Sequence, residues 1–214
     1  LLTMFVGGGA WFLASAINVQ VVQLAGFFLL LVGAICTTFG WRKTWKLRIP
    51  ILSIILVFPI WNLLQIPLQE LSSDMSYIGL KALEIPTLRE GFRFTVPGGQ
   101  FIVEEACSGL GFFLCSGSLA VLFLHYNRIS GVKSILFVAF ALVLALISNW
   151  LRIIIIMLVG NYTRMDHAIV QDHLTFGWIL FAVMLVPFLI VGNLLSHETA
   201  TVEPVADVPS ESQP

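Results

Sequence analysis

Long apolar runs separated by short polar segments dominate this chain, and their lengths predict membrane-spanning helices. A helix needs about 20 apolar residues to cross a hydrocarbon core of about 30 Å. Six stretches meet or approach this length, at about 3–17, 21–40, 47–66, 106–125, 132–160 and 174–196. The first is short and rich in glycine, and the fifth is long enough to tilt or to project beyond the bilayer. The pattern predicts an all-α polytopic membrane protein with about six transmembrane helices.

One segment between these runs, residues 67–105, is large enough to have a structure of its own. Its first half, 69–83, predicts a short amphipathic helix with four apolar residues on one side. These are Leu71, Met75, Ile78 and Leu83. Its second half predicts a hairpin, because apolar residues alternate with polar ones around a turn sequence. The turn is Pro97-Gly98-Gly99-Gln100, between Phe92, Phe94, Val96 and Phe101-Ile102-Val103. This helix and hairpin lead directly into Cys107.

Composition supports the membrane assignment and excludes one class of partner. Hydrophobic residues make up 58% of the chain and charged residues 11%, against about 25% charged residues in an ordinary soluble domain. A net charge of −1 excludes a polybasic nucleic-acid-binding protein. We expect membrane lipids, and no nucleic acid, among its partners.

The positions of the basic residues predict the orientation of the chain. Two connecting segments carry most of them, and the positive-inside rule places both in the cytoplasm. The first contains Arg42, Lys43, Lys46 and Arg48, and the second Arg128 and Lys133. Alternation then places the 67–105 and 161–173 segments, and the turn near Asn18, outside. We therefore expect a multi-pass protein of the plasma or inner membrane.

The ends of the chain differ from its apolar body. Residues 1–197 are predicted to form one polytopic domain, and residues 198–214 a disordered cytoplasmic tail, since the tail is rich in Pro, Ser, Glu and Val and lacks aromatic residues. The chain begins Leu1-Leu2 rather than with Met. We expect a trimmed or fragmentary N-terminus, with earlier transmembrane segments missing.

A cysteine, an arginine and a histidine are the strongest candidates for chemistry. Cys107 lies in Glu104-Glu105-Ala106-Cys107-Ser108-Gly109-Leu110, where a polar segment meets an apolar run. Arg152 lies inside the fifth run, where a buried guanidinium costs at least a few kcal/mol without a partner or a water-filled cavity. His173 immediately precedes the sixth run.

The predicted topology brings these three residues to one depth. Cys107 enters the fourth span from outside, and His173 precedes the sixth span on the same side. Arg152 follows Lys133 by 19 residues, which is about 28 Å along a helix that starts inside. The sequence therefore predicts a shared site at the extracytoplasmic face.

The three side chains suit acyl transfer through a thiol. A free thiol has a pKa of about 8.5 and is a weak nucleophile at neutral pH until a cation or base favours the thiolate. Arg152 can stabilise charge on the attacked carbonyl oxygen, and His173 can move protons. Four supporting or substrate-binding residues are predicted beside them. These are Glu105, Ser108, Asn149 and Asp172. Asn149 or Asp172 orients the reacting groups, and Glu105 either binds basic substrate residues or positions the histidine.

Each residue also has a structural alternative. Cys107, in Cys-Ser-Gly, suits close helix packing. Arg152 suits an anchor that reaches the headgroups, and His173 a helix cap. His167 is an alternative base on the same side, whereas His125 lies on the opposite side. Cys36 and Cys115 fall inside helices and are expected to act as small hydrophobes. No disulfide is expected, because three cysteines form no even framework and Cys107 and Cys115 would lie about 12 Å apart along one helix. No metal site is expected, because no His-x-x-x-His or Cys-x-x-Cys pair is present. No cofactor is predicted.

These motifs, in this order, resemble the exosortase/archaeosortase family. The resemblance covers about residues 60–190 and rests on three ordered motifs together with an upstream pattern. The motifs are Ala-Cys-Ser-Gly-Leu (106–110) after Glu105, Asn149-x-x-Arg152-Ile153, and His173-x-x-x-Gly177. The upstream pattern is Leu80 to Ile85, Arg89-x-Gly91 and Val96-Pro97-Gly98-Gly99.

The resemblance implies a membrane cysteine protease or transpeptidase that sorts exported proteins. Its substrates would carry a C-terminal signal of a Pro-Glu-Pro-like (PEP-CTERM) motif, a transmembrane helix and a basic cluster. Cys107 would be the nucleophile that forms a thioester, with Arg152 and His173 as its partners. The acceptor would be a lipid, a polysaccharide or water. A non-catalytic scaffold or a transporter component of polysaccharide export is the alternative function.

Overall fold

Helices account for most of the computed structural model, which describes residues 2–16, 18–57 and 59–200. The α-helices are α1 (Leu2–Ala16), α2 (Gln20–Phe39), α3 (Trp41–Lys46), α4 (Arg48–Ser53), α5 (Gln65–Ala82), α6 (Leu110–Tyr126), α7 (Val132–Thr163), α8 (Ala168–Gln171) and α9 (His173–Ala200). Three short strands follow α5. These are β1 (Leu88–Glu90), β2 (Arg93–Val96) and β3 (Gly99–Ile102).

Four helical segments in the described part of the chain are long and apolar enough to cross a membrane. They are Gln20–Phe39, Glu105–Tyr126, Val132–Thr163 and His173–His197. The α1 helix is also apolar, but its 15 residues cover only about 22 Å. The chain is therefore an all-α polytopic membrane protein with a small β-sheet, and among residues 2–16, 18–57 and 59–200 four of the six predicted spans meet the length requirement as continuous helices.

The predicted span at 47–66 is not one continuous α-helix. The chain there forms α4, a 3-10 helix at Ile54–Val57 and another at Pro59–Leu64. Proline lacks a backbone N–H and disfavours helical geometry in the residue before it. Pro50 lies in the first turn of α4, where proline is tolerated, whereas Pro59 begins the second 3-10 helix. Pro59 therefore helps to interrupt a run whose hydropathy alone predicted a single helix, and that prediction is wrong.

The helix predicted at 69–83 is present as α5, but a different face is buried. Ser72, Ser73 and Ser76 are fully buried, whereas Ile78 and Leu83 are 57% and 52% exposed. Small serine side chains let α5 approach α7 closely, and Gly79 lies directly against Ile154 of α7. The predicted helix is confirmed, but its buried face contains the serines rather than the four apolar residues, because close helix packing and buried hydroxyl groups decide this interface.

The three strands form an antiparallel sheet in the order β1-β2-β3. Phe94 pairs with Phe101, and Val96 pairs with Gly99 across a turn at Pro97 and Gly98. The sheet packs against α7 through a cluster of buried apolar side chains. The cluster includes Leu80, Phe94, Val96, Phe101, Val103, Ile153, Ile156 and Met157.

Gly98 anchors the sheet to the C-terminal end of α7. Its backbone N–H donates a hydrogen bond to Asn161 Oδ1 at 2.8 Å. A Cβ atom at this position would overlap the backbone of Asn161. The absence of a side chain at Gly98 therefore allows the sheet to lie directly on the helix.

The long helix α7 is central to the bundle, since α5, α6, α9 and β3 all pack against it. Aromatic rings fill the space between α6, α7 and α9, with Phe112 stacked on Phe181 at 4.9 Å and Phe137 beside Phe188 at 5.0 Å. Three polar residues of α7, Ser148, Asn149 and Arg152, are buried among these neighbours.

The α9 helix continues through Ala200, and it therefore includes residues 198–200, the first three of the tail predicted to be disordered. Residues 201–214, the rest of that prediction, lie outside the described residues.

Candidate active site

Cys107 ends a tight turn that joins the sheet to α6. The turn is a 3-10 helix, Glu105–Cys107, and the Cys107 N–H donates to the Glu104 carbonyl at 2.8 Å. Gly109 then adopts a φ of +87°, which favours glycine, and α6 begins at the next residue. Cys107 is 8% exposed. The local sequence thus places the thiol just before the first turn of a membrane-spanning helix.

Arg152 approaches this thiol from α7. Its Nη2 lies 3.7 Å from Cys107 Sγ, and its Cζ lies 5.7 Å from the centre of the Phe112 ring. The residue is only 2% exposed, and its Nε has no hydrogen-bond partner in the described structure. Among the described residues no carboxylate forms an ion pair with it. The guanidinium is therefore buried beside sulfur and an aromatic face, without a counter-ion.

A glycine on α9 makes room for this arginine. A Cβ atom at Gly177 would lie 2.7 Å from Arg152 Nε and 3.0 Å from Arg152 Cζ. The sequence motif His173-x-x-x-Gly177 included this glycine but gave no reason for it. The structure supplies the reason, because any side chain at 177 would displace the guanidinium.

His173 and Cys107 line the same cavity, which has a volume of about 210 Å³. The cavity is also bordered by residues 100–104 and by apolar side chains of α7 and of the segment after it. Arg152 lines a neighbouring cavity of about 160 Å³ with Phe112 and Trp178. The structure thus brings together the three residues that the sequence singled out.

Asn149 and Ser72 hold the turn that carries Cys107. Asn149 Nδ2 donates to the Cys107 carbonyl at 2.9 Å and to Ser72 Oγ at 3.1 Å. Ser72 Oγ donates in turn to the Ser108 carbonyl at 3.0 Å. A Cβ atom at Gly109 would lie 2.8 Å from Asn149 Nδ2. The left-handed glycine and the asparagine amide therefore fit each other in a fully buried network.

Two residues of α5 that support this region were missed at the level of sequence. Ser72 belongs to the network, and Gln69 Nε2 donates to the Val103 carbonyl at 2.6 Å. The available signal was the spacing of Gln69, Ser72, Ser73 and Ser76, which places small and polar side chains on one helical face.

The other predicted supporting residues have identifiable partners. Ser108 Oγ accepts from the Leu110 N–H at 3.3 Å. Glu105 is exposed and accepts a hydrogen bond from Gln65 Nε2 at 3.0 Å, while Glu104 rather than Glu105 lines the cavity. The two neighbouring glutamates therefore differ in their surroundings, since only Glu104 borders the cavity that contains Cys107.

Asp172 caps the first turn of α9, where its Oδ1 accepts from the Thr175 N–H at 3.2 Å. Hydrogen bonds from the side chain and the backbone of Thr175 hold the pKa of Asp172 below its ordinary value. The cap is therefore present at neutral pH and is lost as pH falls through that lowered pKa.

The two other histidines that the sequence offered beside His173, His167 and His125, have different surroundings. His167 Nδ1 accepts from the Ile169 N–H at 3.1 Å and caps α8, and it does not line the Cys107 cavity. His125 contacts Tyr126 at the opposite end of α6 from Cys107. No group of three His, Cys, Asp or Glu residues is placed to hold a metal ion within the described ranges.

The fold and the site define a multi-pass membrane protein with a buried thiol and guanidinium at one end of its central helices. The family model described as Transmembrane exosortase (Exosortase_EpsH) matches residues 1–190, and the chain belongs to this family. The resemblance seen in the sequence motifs is confirmed. Separate searches of the curated proteins and of the solved structures gave no match. Exosortases are generally cysteine transpeptidases.

Proposed function

We propose that this exosortase is a membrane-embedded cysteine transpeptidase that removes the C-terminal sorting signal of exported proteins. The observation that carries the proposal is the 3.7 Å contact between Arg152 Nη2 and Cys107 Sγ. Packing alone does not require a buried guanidinium beside a thiol, because charge in hydrocarbon is costly. His173 on the same cavity adds an imidazole, which can accept and donate a proton during the reaction.

The first step is attack of Cys107 Sγ on the carbonyl carbon of the sorting motif. The thiol proton passes to His173, a C–S bond forms and negative charge develops on the carbonyl oxygen. Arg152 stabilises both the thiolate and this oxygen, more strongly in a dry site than in water. His173 then gives its proton to the leaving amine as the C–N bond breaks, which leaves a thioester on Cys107.

The second step transfers the acyl group to an acceptor. A hydroxyl of a lipid or polysaccharide attacks the thioester, its proton passes to His173 and the C–S bond breaks. The proton then returns to the Cys107 sulfur, which restores the thiol. If water takes the place of the acceptor, the same residues give a protease, so identification of the product separates the two activities.

The substrate we propose is an exported protein with a PEP-CTERM-like motif, a transmembrane helix and a basic cluster at its C-terminus. Its helix docks laterally against the bundle, and the motif enters the Cys107 cavity at the extracytoplasmic face of the plasma or inner membrane. This arrangement agrees with the position of the thiol at the start of a span and with the basic segment at 128–133, at the opposite end of α6 and α7.

Replacement of the nucleophile tests the proposal. Cys107→Ala, co-expressed with such a substrate, is expected to accumulate the full-length precursor, as followed by immunoblot. Cys115→Ala is the matched control, because Cys115 is a second thiol in the α6 segment. It is expected to process normally. Normal processing by Cys107→Ala would instead favour the non-catalytic scaffold or transporter component.

The arginine is best tested by a variant that retains its charge. Arg152→Lys keeps the cation but loses the planar fork that reaches Cys107 and stacks on Phe112. We expect processing to slow by about 100-fold, since loss of one oxyanion donor commonly costs that much. Full turnover in both Arg152→Lys and His173→Ala would contradict the shared site.

A further inference from the structure

The strand β3 lies at an edge of the sheet and runs into the Cys107 site. The strand order β1-β2-β3 leaves one side of β3 without a neighbouring strand among the described residues. Residues 100–104, which are β3 from Gln100 onward and its continuation, all line the cavity shared by Cys107 and His173. The edge of the sheet therefore forms one wall of the cavity that contains the thiol.

The hydrogen-bond pattern shows which main-chain groups face this cavity. The Val103 N–H donates to the Phe92 carbonyl at 2.9 Å, toward β2. Bonded and non-bonded pairs alternate in an antiparallel ladder, so Phe101 also faces β2, where it pairs with Phe94. The N–H and C=O groups of Gln100 and Ile102 therefore point away from β2, toward the free edge. Within the described part of the chain no hydrogen bond satisfies them.

The rest of the cavity supplies apolar contacts. Ile153, Ile156 and Met157 of α7 line it, together with Met165 and Val170. An extended peptide places successive side chains on opposite sides. One set of alternate side chains would meet this apolar wall while the backbone meets the edge of β3.

We propose that the substrate segment around the scissile bond binds in an extended conformation, as an additional strand on the free edge of β3. The proposal rests on the proposed function, since it identifies how that site binds its peptide. Main-chain hydrogen bonds to Gln100 and Ile102 supply affinity, and the apolar wall selects alternate side chains. Because β3 continues into the turn at Glu105–Cys107, a peptide aligned on it leads to the sulfur.

Removal of one hydrogen-bond donor from the free edge of β3 tests whether the substrate binds there as an additional strand. Ile102→Pro deletes an N–H that does not face β2, and proline is tolerated at such edge positions. We expect Ile102→Pro to process the co-expressed substrate at least about tenfold more slowly than Ile102→Val, as one lost hydrogen bond predicts. Equal rates in the two variants would overturn the added strand. The rate of Cys107 alkylation by iodoacetamide, compared with that of the unaltered protein, reports whether the site remains folded.

Cross-linking gives an answer even if the proline variant does not fold. A protein with Gln100→Cys, Cys107→Ala, Cys36→Ala and Cys115→Ala is co-expressed with substrates that carry single cysteines along the motif, and disulfides are then formed by mild oxidation. Strand pairing predicts cross-links at every second substrate position, because side chains alternate. Cross-links at consecutive positions, or none, would overturn it.

The two proposals fail in different ways. Normal processing by Cys107→Ala removes the proposed function and with it the added strand. Loss of processing in Cys107→Ala, with Ile102→Pro as fast as Ile102→Val, removes the added strand alone and leaves the cysteine chemistry in place.

Discussion

Arg152 shows how a single residue can reveal a site in a membrane protein. Its charge interrupts an apolar run, and the sequence alone requires a compensating environment. The structure places it against the Cys107 sulfur and the face of Phe112, with no carboxylate partner in the described ranges. Its position depends on Gly177, since that glycine leaves the space that the guanidinium occupies.

Gly177→Ala is expected to reduce activity more than stability. The new Cβ would lie under 3.0 Å from Arg152 Nε and Cδ, and the flexible arginine can move away from it at small cost. That movement takes the guanidinium away from Cys107, so we expect processing to fall by about tenfold or more, as loss of an electrostatic contact in the transition state predicts. The measurement is the rate at which the co-expressed substrate is processed, divided by the amount of folded enzyme.

Gly192→Ala is the matched control on the same helix. Its Cβ would meet the Phe123 ring at 2.8 Å, away from the thiol. It is expected to lower the thermal stability while turnover per folded molecule stays unchanged. A Gly177→Ala protein with full turnover would contradict the steric role given to this glycine.

At the scale of elements, α5 supports the turn that carries Cys107 and is not an ordinary amphipathic helix. Its buried side contains three serines, one of which bonds to both Asn149 and the Ser108 carbonyl. The sequence predicted the helix because its polar and apolar residues have a helical period. It did not predict the buried face, because hydropathy assigns serine to solvent, whereas close packing on α7 favours a small side chain with a hydrogen-bond partner.

Ser72→Ala and Ser73→Ala test this role as a matched pair. Both serines are fully buried, but Ser73 Oγ bonds only to the Gln69 carbonyl of its own helix, at 2.8 Å. Ser72→Ala leaves the Ser108 carbonyl without its donor and Asn149 without one acceptor. We expect it to cost about 1–3 kcal/mol of stability and to slow both alkylation of Cys107 and processing. Equal effects of the two substitutions, measured by denaturation and processing assays, would argue against a positioning role for Ser72.

The whole molecule brings three distant sequence motifs to one end of α6, α7 and α9. Cys107 precedes α6, Arg152 lies in the C-terminal half of α7 and His173 begins α9. Because α7 runs antiparallel to its neighbours in the chain, groups near the start of one helix meet groups near the end of another. The same alternation, combined with the basic residues of the connecting segments, predicts that this end faces away from the cytoplasm.

Labelling with a membrane-impermeant maleimide tests this orientation. In a chain with its three cysteines replaced by alanine, Glu90→Cys is expected to react in intact cells. Lys133→Cys is expected to react only after permeabilisation, because the basic segment at 128–133 lies at the other end of α6 and α7 and is predicted to be cytoplasmic. Both parent residues are exposed. The opposite labelling pattern would reverse the predicted orientation and remove the extracytoplasmic site.

The sequence by itself determined the membrane class and the four long spans, and it singled out Cys107, Arg152 and His173 as candidates. These follow from local physical costs, since the apolar runs at 21–40, 106–125, 132–160 and 174–196 favour lipid and the isolated charge of Arg152 requires a partner. Pro59 also acts locally, but hydropathy outweighed it in the prediction. Only the tertiary structure decided the serine face of α5, the space at Gly177 and the free edge of β3 beside the thiol. Each depends on which surfaces meet, and such contacts between distant residues are not encoded in the period of any single segment.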